Sequence, residues 1–465
     1  MSHTTSLQNC LDDLSREMGD CVTVDVDVLL AHGKDSAHHA PQPPDVVVEA
    51  TSLDEVQRAV RISSQHGVPI IPFGTGTAVE GGVVAVRGGV CIDVQKMNRI
   101  KRLSVPDMDV TVEAGVTRLQ LNRHLAEQNN GLHFPVDPGA DASLGGMAAT
   151  RASGTAAVSY GTMRENVLGL EVVLASGDVI HTGGRARKSS AGYDLTHLFV
   201  GSEGTLGLIT EVTLKLAPLP EAISAAVCSF DSIDAAVDSV IDVMSQGVPV
   251  ARIELLDEIQ MDAVNRYSEL NYEVSPTLFF EFHGSEAAVV EHAERTRAIL
   301  DQHGVRNFHW ASGQGERDRL WEARHNGYYA TIGLREGSIG YVTDVCVPVS
   351  QLAECICRTK VDLVGCSVPA PLFGHVGDGN FHVVFPIMPG NAAELAEVKA
   401  LGAKMVDHAL DLGGTCTGEH GIGMGKIDAL RREHGPAVDT MQAIKAALDP
   451  NNLMNPGKLF AERSG

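Results

Sequence analysis

Short apolar runs and amphipathic segments alternate near the start of the chain and predict strands and helices in turn. The run Val46-Val47-Val48 precedes a segment with helical periodicity, which Gly67 should end. A second apolar run at residues 68–72 leads into a glycine-rich turn. This strand–helix–strand order predicts a βαβ unit. Before it, residues 1–40 read as an acidic helix and a lead-in loop.

Glycine-rich turns and short strands dominate residues 137–218. Residues 170–174 and 179–181 flank the turn sequence Ala-Ser-Gly-Asp and predict a hairpin. Residues 209–216 alternate between apolar and polar side chains, as expected of another strand. Prolines follow directly, so we predict that a first domain spans residues 41–218.

Longer amphipathic helices appear in the second half of the chain. They are predicted at residues 286–302 and 392–412, with strands at residues 277–282, 341–347 and 382–385. Segregation of strands and helices in this way favours an α+β domain with an antiparallel sheet. We therefore predict a second domain at residues 219–412. A glycine-rich C-terminal segment, residues 413–465, should return to the first domain and complete the site there.

Charge and composition narrow the possible partners. The 465 residues include 36 Lys and Arg against 59 Asp and Glu, a net charge of −23, which argues against nucleic acid as a partner. No apolar stretch is long enough to cross a bilayer, so membrane contact is expected to be peripheral at most. Nine cysteines without a Cys-x-x-Cys pair predict reduced thiols. We expect a soluble, cytoplasmic protein.

Two glycine loops must be tested against the standard nucleotide motifs. At residues 74–79 a dinucleotide-binding fingerprint would need Gly or Ala at the sixth position, which is Val79. At residues 421–426 an ATP-binding loop would need Gly in place of His420 and a hydroxyl side chain in place of Ile427. Neither NAD bound in this way nor ATP is supported. The loop of residues 72–82, which contains the first of these motifs, can still form a nest of backbone N–H groups for a diphosphate.

Five separated segments together resemble the FAD domain of the vanillyl-alcohol oxidase/p-cresol methylhydroxylase superfamily. They are Pro-Phe-Gly-Thr-Gly-Thr from Pro72, Asp-Pro-Gly from Asp137, Leu-Gly-Gly-Met from Leu144, Tyr-Gly-Thr-Met-Arg-Glu-Asn-Val from Tyr160, and Gly-Ser-Glu-Gly-Thr-Leu-Gly from Gly201. The resemblance implies a two-subdomain FAD-binding domain. It also implies an FAD pyrophosphate on residues 73–77.

Some members of that superfamily attach the flavin to a histidine near the first loop. Thr77 and Ala78 stand there in this chain, so non-covalent FAD is expected. The cofactor contacts that the resemblance implies are Pro72, Phe73, Gly74, Thr75, Gly76, Thr77, Pro138, Gly139, Ser143, Leu144, Gly145, Gly146, Ala149, Thr150, Ser153, Gly154, Tyr160, Gly161, Glu203, Gly204, Gly207 and Ile209.

A second chemical centre surrounds two histidines. His375 and His382 flank Gly-Asp-Gly-Asn, a strong turn sequence, so the chain should reverse between them. They would then be facing cross-strand neighbours whose imidazoles converge as metal ligands. Glu419 or His420, in a glycine-rich segment, could supply a third ligand. Two histidines and a carboxylate suit zinc, manganese or iron, whereas each histidine alone is more often a structural one.

These segments resemble the C-terminal domain of FAD-linked D-2-hydroxy-acid dehydrogenases. The resemblance implies that His375, His382 and Glu419 hold a divalent metal, and that His420 is the catalytic base. In the same way Arg324, within Trp-x-x-Arg, would clamp the substrate carboxylate. An exposed helix arginine is the alternative reading for that residue. Two weaker candidates for substrate binding are Asn380 and Lys458.

Within that family the chain most resembles the cytochrome-type D-lactate dehydrogenase branch. The resemblance implies oxidation of a small D-2-hydroxy acid, first of all D-lactate to pyruvate. The metal would assist proton abstraction, and flavin N5 would take the hydride. Glycolate and D-2-hydroxyglutarate are the alternative substrates, and cytochrome c or a quinone the expected electron acceptor. A homodimer is possible.

Two other classes remain as alternatives. A flavin-free metallohydrolase would use the same histidines and Glu419 to activate water. A non-catalytic partner subunit would keep the FAD fold, but it should lack the histidine and glutamate set that this chain retains.

Overall fold

The computed structural model describes residues 3–461, which form two compact units. Unit 1 contains the described residues up to Ser153, then Thr162–Leu219, then those from Glu419 onward. Unit 2 contains Gly154–Gly161 and Pro220–Gly418. No helix among the described residues has both the length and the apolar character needed to cross a membrane.

The strands follow the chain in order, the first eleven in unit 1 and the others in unit 2. In unit 1 they are β1 Val22–Thr23, β2 Val46–Glu49, β3 Ile70–Phe73, β4 Val90–Asp93, β5 Ile100–Ser104, β6 Asp109–Glu113, β7 Leu132–His133, β8 Val167–Val173, β9 Val179–Gly183, β10 Leu208–Lys215 and β11 Ala217–Pro218. In unit 2 they are β12 Ala222–Ser229, β13 Arg252–Leu256, β14 Thr277–Gly284, β15 Arg306–Ala311, β16 Ile339–Val342, β17 Val345–Cys346, β18 Leu372–Gly374 and β19 Asn380–Ile387.

The helices alternate between the units more often than the strands do. They are α1 His3–Met18, α2 Val26–His32, α3 Leu53–His66, α4 Arg118–Glu127, α5 Leu144–Thr150, α6 Ala157–Tyr160, α7 Met163–Asn166, α8 Leu195–Phe199, α9 Ile233–Ser245, α10 Glu258–Tyr267, α11 Glu286–Leu300, α12 Gln314–His325, α13 Gly327–Gly333, α14 Leu352–Leu363, α15 Ala392–Asp411, α16 Ile427–His434 and α17 Ala437–Leu448. Three 3₁₀ turns lie at Gly19–Cys21, Asp301–His303 and Val349–Gln351.

Unit 1 combines a small mixed sheet with a larger antiparallel one. The small sheet has the order β1-β2-β4-β3, with β2 and β3 each parallel to β4. The predicted strand–helix–strand start is confirmed, although β4 lies between the two predicted strands. Helix α3 begins at its N-cap Ser52 and ends at Gly67, whose φ of 65° is the left-handed conformation that glycine favours.

The second sheet of unit 1 has the order β5-β6-β10-β8-β9 and includes the predicted hairpin β8–β9. Its apolar side chains join those of the small sheet and α3 in one core, where Val56, Val60 and Val112 are fully buried. Burial of this kind contributes about 25 cal/mol per Å² of apolar surface. The core includes Ile70 of β3, Leu144 of α5 and Leu208 of β10, so it supports the elements next to the loops of the functional site.

Unit 2 is built on an antiparallel sheet with the order β15-β12-β14-β13-β18-β19-β16, and β17 also pairs with β19. The predicted antiparallel α+β architecture is confirmed. The strand predicted at residues 341–347 is wrong as a continuous element, because it divides into β16 and β17. The hydroxyl and backbone of Thr343, between them, bond to Val383 on β19.

Candidate active site

A cavity in unit 1 is lined by three loops that adjoin strands or helices. The loops are the glycine turn after β3, the turn into α5, and the segment that leads into β10. The cavity contains about 1360 Å³ of space between atoms, including the space at its opening. The Ser143 N–H donates to Thr75 Oγ1 at 3.2 Å and so joins the first two loops.

Most of the cofactor contacts expected from the sequence line this cavity. These are Pro72, Phe73, Gly74, Thr75, Gly76, Thr77, Pro138, Ser143, Gly145, Gly146, Ala149, Thr150, Ser153, Glu203, Gly204, Gly207 and Ile209. The lining also includes Ala78, Val79, Glu80 and Gly82, which belong to the same predicted diphosphate loop of residues 72–82, and Val83, Val94 and Asn455, which the sequence did not single out. Val94 and Asn455 are distant from the loop in sequence and become its neighbours only through folding.

Five of the expected contacts do not line the unit 1 cavity. Gly139 and Leu144 belong to unit 1 but lie outside the lining. Gly154, Tyr160 and Gly161 are grouped with unit 2 instead. There the Tyr160 hydroxyl is hydrogen-bonded to Nδ1 of His283 at 2.7 Å. For these five residues the cofactor contact stays a prediction.

The cavity has the features that a flavin dinucleotide requires at its phosphates. A Cβ on Gly74 would collide with Ser143 Oγ, and one on Gly146 would lie 2.9 Å from the same atom. Only glycine therefore allows both backbones to approach this hydroxyl. Ser143 Oγ is buried and has no hydrogen-bond partner among the described residues. A buried donor in that position fits a ligand oxygen, so the residues present fit FAD.

The segment that carries Glu419 and His420 lines the same cavity. His420 Nε2 lies 4.0 Å from Glu419 Oε1. Just beyond them, the N–H groups of Ile422 and Gly423 each donate to the Glu203 carboxylate at 2.7 Å. Burial raises the pKa of Glu203, while the two backbone N–H groups act in the opposite direction.

The two predicted histidine ligands lie in unit 2, at a hairpin. The chain reverses between β18 and β19 as expected, but the prediction that His375 faces His382 is wrong. The cross-strand partner of His382 is Phe373. His375 lies two residues past Phe373 and therefore on the same side, as a diagonal neighbour of His382. The two ring centroids are 5.6 Å apart, so the imidazoles still lie close together.

Hydrogen bonds at Nδ1 orient both imidazoles. His382 Nδ1 lies 3.0 Å from the carbonyl oxygen of Thr343, which can only accept. His375 Nδ1 lies 2.6 Å from Oε1 of Glu254. A ring that donates from Nδ1 presents its lone pair at Nε2. Nε2 is therefore the candidate ligand atom on each ring, and an acceptor behind a histidine ligand is a common feature of metal sites.

Glu254 is a residue of this site that the sequence did not reveal. It lies on β13 with no solvent exposure, and its Oε2 accepts a 2.6 Å hydrogen bond from Arg324 Nε. Although burial acts to raise it, the charge of Arg324 and the hydrogen bonds from His375 and Arg324 lower the pKa of Glu254 overall. A lone carboxylate in the apolar run of β13 was the available signal.

Arg324 is not an exposed helix arginine. It lies on α12 with 12% of its side chain exposed, and its guanidinium carbon is 5.1 Å from the ring centroid of Phe373. Nε is engaged by Glu254. The planar geometry of the guanidinium directs its other nitrogens elsewhere, which suits a carboxylate clamp. The predicted role in substrate binding stays a prediction.

The two weaker candidates have different surroundings. Asn380 Nδ2 donates to Asp344 Oδ1 and to the carbonyl of Val345, each at 2.7 Å, within unit 2. Lys458 is buried in unit 1, outside the cavity lining, and its ammonium donates to the carbonyl of Val84 at 2.7 Å. Burial lowers the pKa of Lys458 to about 8. The predicted role of Lys458 in substrate binding stays a prediction.

Two domain families together match most of the chain. Residues 44–183 match the FAD binding domain family, and residues 219–459 match the family of FAD linked oxidases, C-terminal domain. A probable mitochondrial D-lactate dehydrogenase of Danio rerio is 53% identical and aligns over 92% of this chain and 87% of its own length. A mitochondrial D-lactate dehydrogenase [cytochrome] of Arabidopsis thaliana is 46% identical, over 97% of this chain and 80% of its own.

The fold has solved counterparts. The structure of p-cresol methylhydroxylase with substrate bound superposes with a TM-score of 0.81 at 20% identity, covering 99% of this chain and 98% of that one. The expected vanillyl-alcohol oxidase/p-cresol methylhydroxylase fold is confirmed. Both domain families and the high identity of the relatives lead to one assignment: this chain is an FAD-dependent oxidoreductase and belongs to the FAD-linked oxidase family.

Proposed function

We propose that this protein oxidises D-lactate to pyruvate and passes the electrons to a cytochrome. The observation that carries the proposal is the high identity to relatives named D-lactate dehydrogenases over nearly the whole chain. It is supported by the presence of His420, a candidate base, in the lining of the same cavity as the cofactor loops. Cytoplasmic localisation, homodimerisation and the absence of nucleic acid partners stay predictions.

The chemistry assigns a task to each polar residue. Oxidising a 2-hydroxy acid removes the hydroxyl proton and a hydride from the α-carbon; FAD, when bound, accepts the hydride at N5. His420 would take the hydroxyl proton on a ring nitrogen, because a neutral imidazole can do so near neutral pH. Arg324 would hold the substrate carboxylate through the guanidinium nitrogens not used by Glu254.

We further propose that His375, His382 and Glu419 hold a divalent metal. The donor set suits zinc, manganese or iron, and Nε2 of each imidazole is oriented for such a role. A divalent ion, when bound, lowers the pKa of the hydroxyl and orients the α-carbon. Glu419 is assigned on sequence resemblance, and it lines the unit 1 cavity.

The substrate is tested by anaerobic mixing of the purified protein with D- and L-lactate, glycolate and D-2-hydroxyglutarate while flavin absorbance is recorded. D-lactate should reduce the flavin fastest, and L-lactate much more slowly. If glycolate or D-2-hydroxyglutarate reduces the flavin faster than D-lactate does, that acid is the substrate and the proposal of D-lactate is wrong.

The roles of ligand and base are separated by variants. His375→Ala and His382→Ala should lose both metal and turnover while keeping FAD. His420→Asn should keep both metal and FAD, and kcat should fall by about a hundred- to ten-thousand-fold. His408→Ala is the matched control, because it removes an imidazole that pairs with Asp362 at 2.7 Å elsewhere in unit 2. Loss of metal from His420→Asn but not from His382→Ala would reverse the roles.

A further inference from the structure

Glu203 is anchored on both sides of its α-carbon. Its backbone N–H donates to the carbonyl of Ala149 at 2.8 Å, and its carbonyl accepts from Asn455 Nδ2 at 2.8 Å. Its φ of 52° lies in the left-handed region, which non-glycine residues seldom occupy. Such a conformation is strained and persists only where the surroundings impose it. The direction of its side chain is therefore fixed.

The Glu203 side chain accepts hydrogen bonds from the segment next to His420. Both carboxylate oxygens are used, Oε1 by the N–H of Ile422 and Oε2 by the N–H of Gly423. Gly421 packs so closely that a Cβ there would lie 2.8 Å from Oε1. The residues between α15 and α16 form no further helix or strand. Backbone bonds also fix the far end of the segment: the Met424 N–H donates to the Glu80 carbonyl and the Gly423 carbonyl accepts from the Leu459 N–H, each at 2.9 Å.

We propose that Glu203 is a positioning residue, which holds the segment 419–423 and thereby fixes His420 at the cavity. The proposal rests on the proposed function, because His420 is the base there. It also changes the part expected of Glu203, which the sequence resemblance made a cofactor contact. Although Glu203 lines the cavity, its two carboxylate oxygens are occupied by backbone N–H groups.

A carboxylate is the side chain that this arrangement requires. Two neighbouring N–H groups need two acceptor atoms, and charge strengthens both bonds. In Glu203→Gln one oxygen remains, but the amide NH₂ would meet an N–H group and leave that donor unpaired. The segment should then loosen without any change in the volume of the side chain. A shift of about 1 Å in a catalytic group can cost on the order of a hundredfold in rate.

The first measurement is hydrogen exchange on FAD-loaded protein, which needs no substrate. In Glu203→Gln the peptide covering residues 419–424 should exchange faster, because both protecting bonds are disturbed. Glu211→Gln is the matched control: it changes a carboxylate on the following strand, which is paired with Lys101 at the surface. The control should leave that peptide unchanged.

The second measurement is flavin reduction by D-lactate. Glu203→Gln should lower kcat by about ten- to a hundredfold with FAD stoichiometry unchanged, since the base is displaced but present. The ionisation in its pH profile should remain, unlike that of His420→Asn. Unchanged exchange at residues 419–424 would overturn the proposal. Loss of FAD in proportion to activity would also overturn it, and would make Glu203 a cofactor contact.

Gly421→Ala provides an independent route if Glu203→Gln does not fold. It keeps the carboxylate but forces a methyl group against it, at a residue whose φ of 82° already disfavours alanine. The same peptide should lose protection, and kcat should fall. If neither change occurs, contact with Glu203 does not position the segment. Failure of the proposed function is distinct: D-lactate would not reduce the flavin of the unmodified protein, while the exchange result would stand.

Discussion

The hydrogen bonds of Glu254 can be tested as a matter of stability as well as of function. This carboxylate has no solvent exposure and joins Arg324 to His375 through two contacts of 2.6 Å. We consider the variants Glu254→Gln, Arg324→Met and their combination. The first removes the charge but keeps the shape. The second removes the guanidinium but keeps an apolar stem, and the third removes both charges.

The expected loss in the free energy of unfolding follows from the burial of these groups. Glutamine can accept one of the two bonds, while its NH₂ group opposes the other donor, so at least one charge-assisted bond worth about 1.5–3 kcal/mol is lost. The positive charge of Arg324, whose side chain is only 12% exposed, then has no carboxylate of Glu254 to balance it. Breaking a buried pair from one side typically costs about 3–5 kcal/mol, which we expect for each single variant. The double variant should cost less than the sum by about 2–3 kcal/mol.

Tryptophan fluorescence provides a specific assay. The chain contains two tryptophans, Trp310 and Trp321, and both belong to unit 2. Trp321 is buried and lies on α12, the helix that carries Arg324. Urea unfolding followed by the fluorescence of these tryptophans should report the loss of stability in unit 2. Release of the flavin reports the unfolding of unit 1. A cost below about 1 kcal/mol for Glu254→Gln, or strict additivity in the double variant, would refute the reasoning.

The remaining predictions concern the flavin, the substrate clamp and a buried lysine. Acid precipitation should release all the FAD into the supernatant, because Thr77 and Ala78 cannot form the histidyl bond; flavin in the pellet would contradict this. Arg324→Lys should raise KM for D-lactate strongly, since an ammonium group cannot form a bidentate pair, and unchanged steady-state kinetics would exclude the clamp. Lys458, with a pKa lowered to about 8 from 10.5, releases its proton in the folded state at lower pH than in the unfolded chain. Stability should therefore rise between pH 8 and pH 10.5, by about 3 kcal/mol, and urea titrations of Lys458→Met should lack this rise.

Sequence periodicity was sufficient for elements whose environment repeats along the chain. Helix α11 and strand β14 have regular apolar positions, and both lie close to their predicted bounds. The interrupted strand at Thr343 could not be foreseen in the same way. Its hydroxyl bonds to the backbone of Val383, forty residues away, and nothing in the local pattern marks that contact.

The hairpin of the two histidines shows how a correct local prediction can still misplace side chains. The turn sequence predicted the reversal, but it did not determine the register. Phe373 pairs with His382, and the N–H of Asn380 bonds to the carbonyl of His375 at 3.3 Å. The pairing is thus shifted by two residues from the one expected. A shift by two keeps side chains on the same face, so the two imidazoles remain neighbours even though the register was wrong.

Reactive groups are easier to predict than the residues that orient them, because a reactive group must be a particular residue type in a conspicuous motif. An orienting carboxylate only has to reach its partner through space. Glu254 acts on His375 across 121 residues of chain, and Glu203 acts on Ile422 across 219. Both are buried, both use two oxygens, and each has a neighbouring donor that would be left unpaired by its loss. Substitution of either should therefore lower turnover with FAD retained, and for Glu203 the ionisation that remains in the pH profile should distinguish the variant from loss of His420.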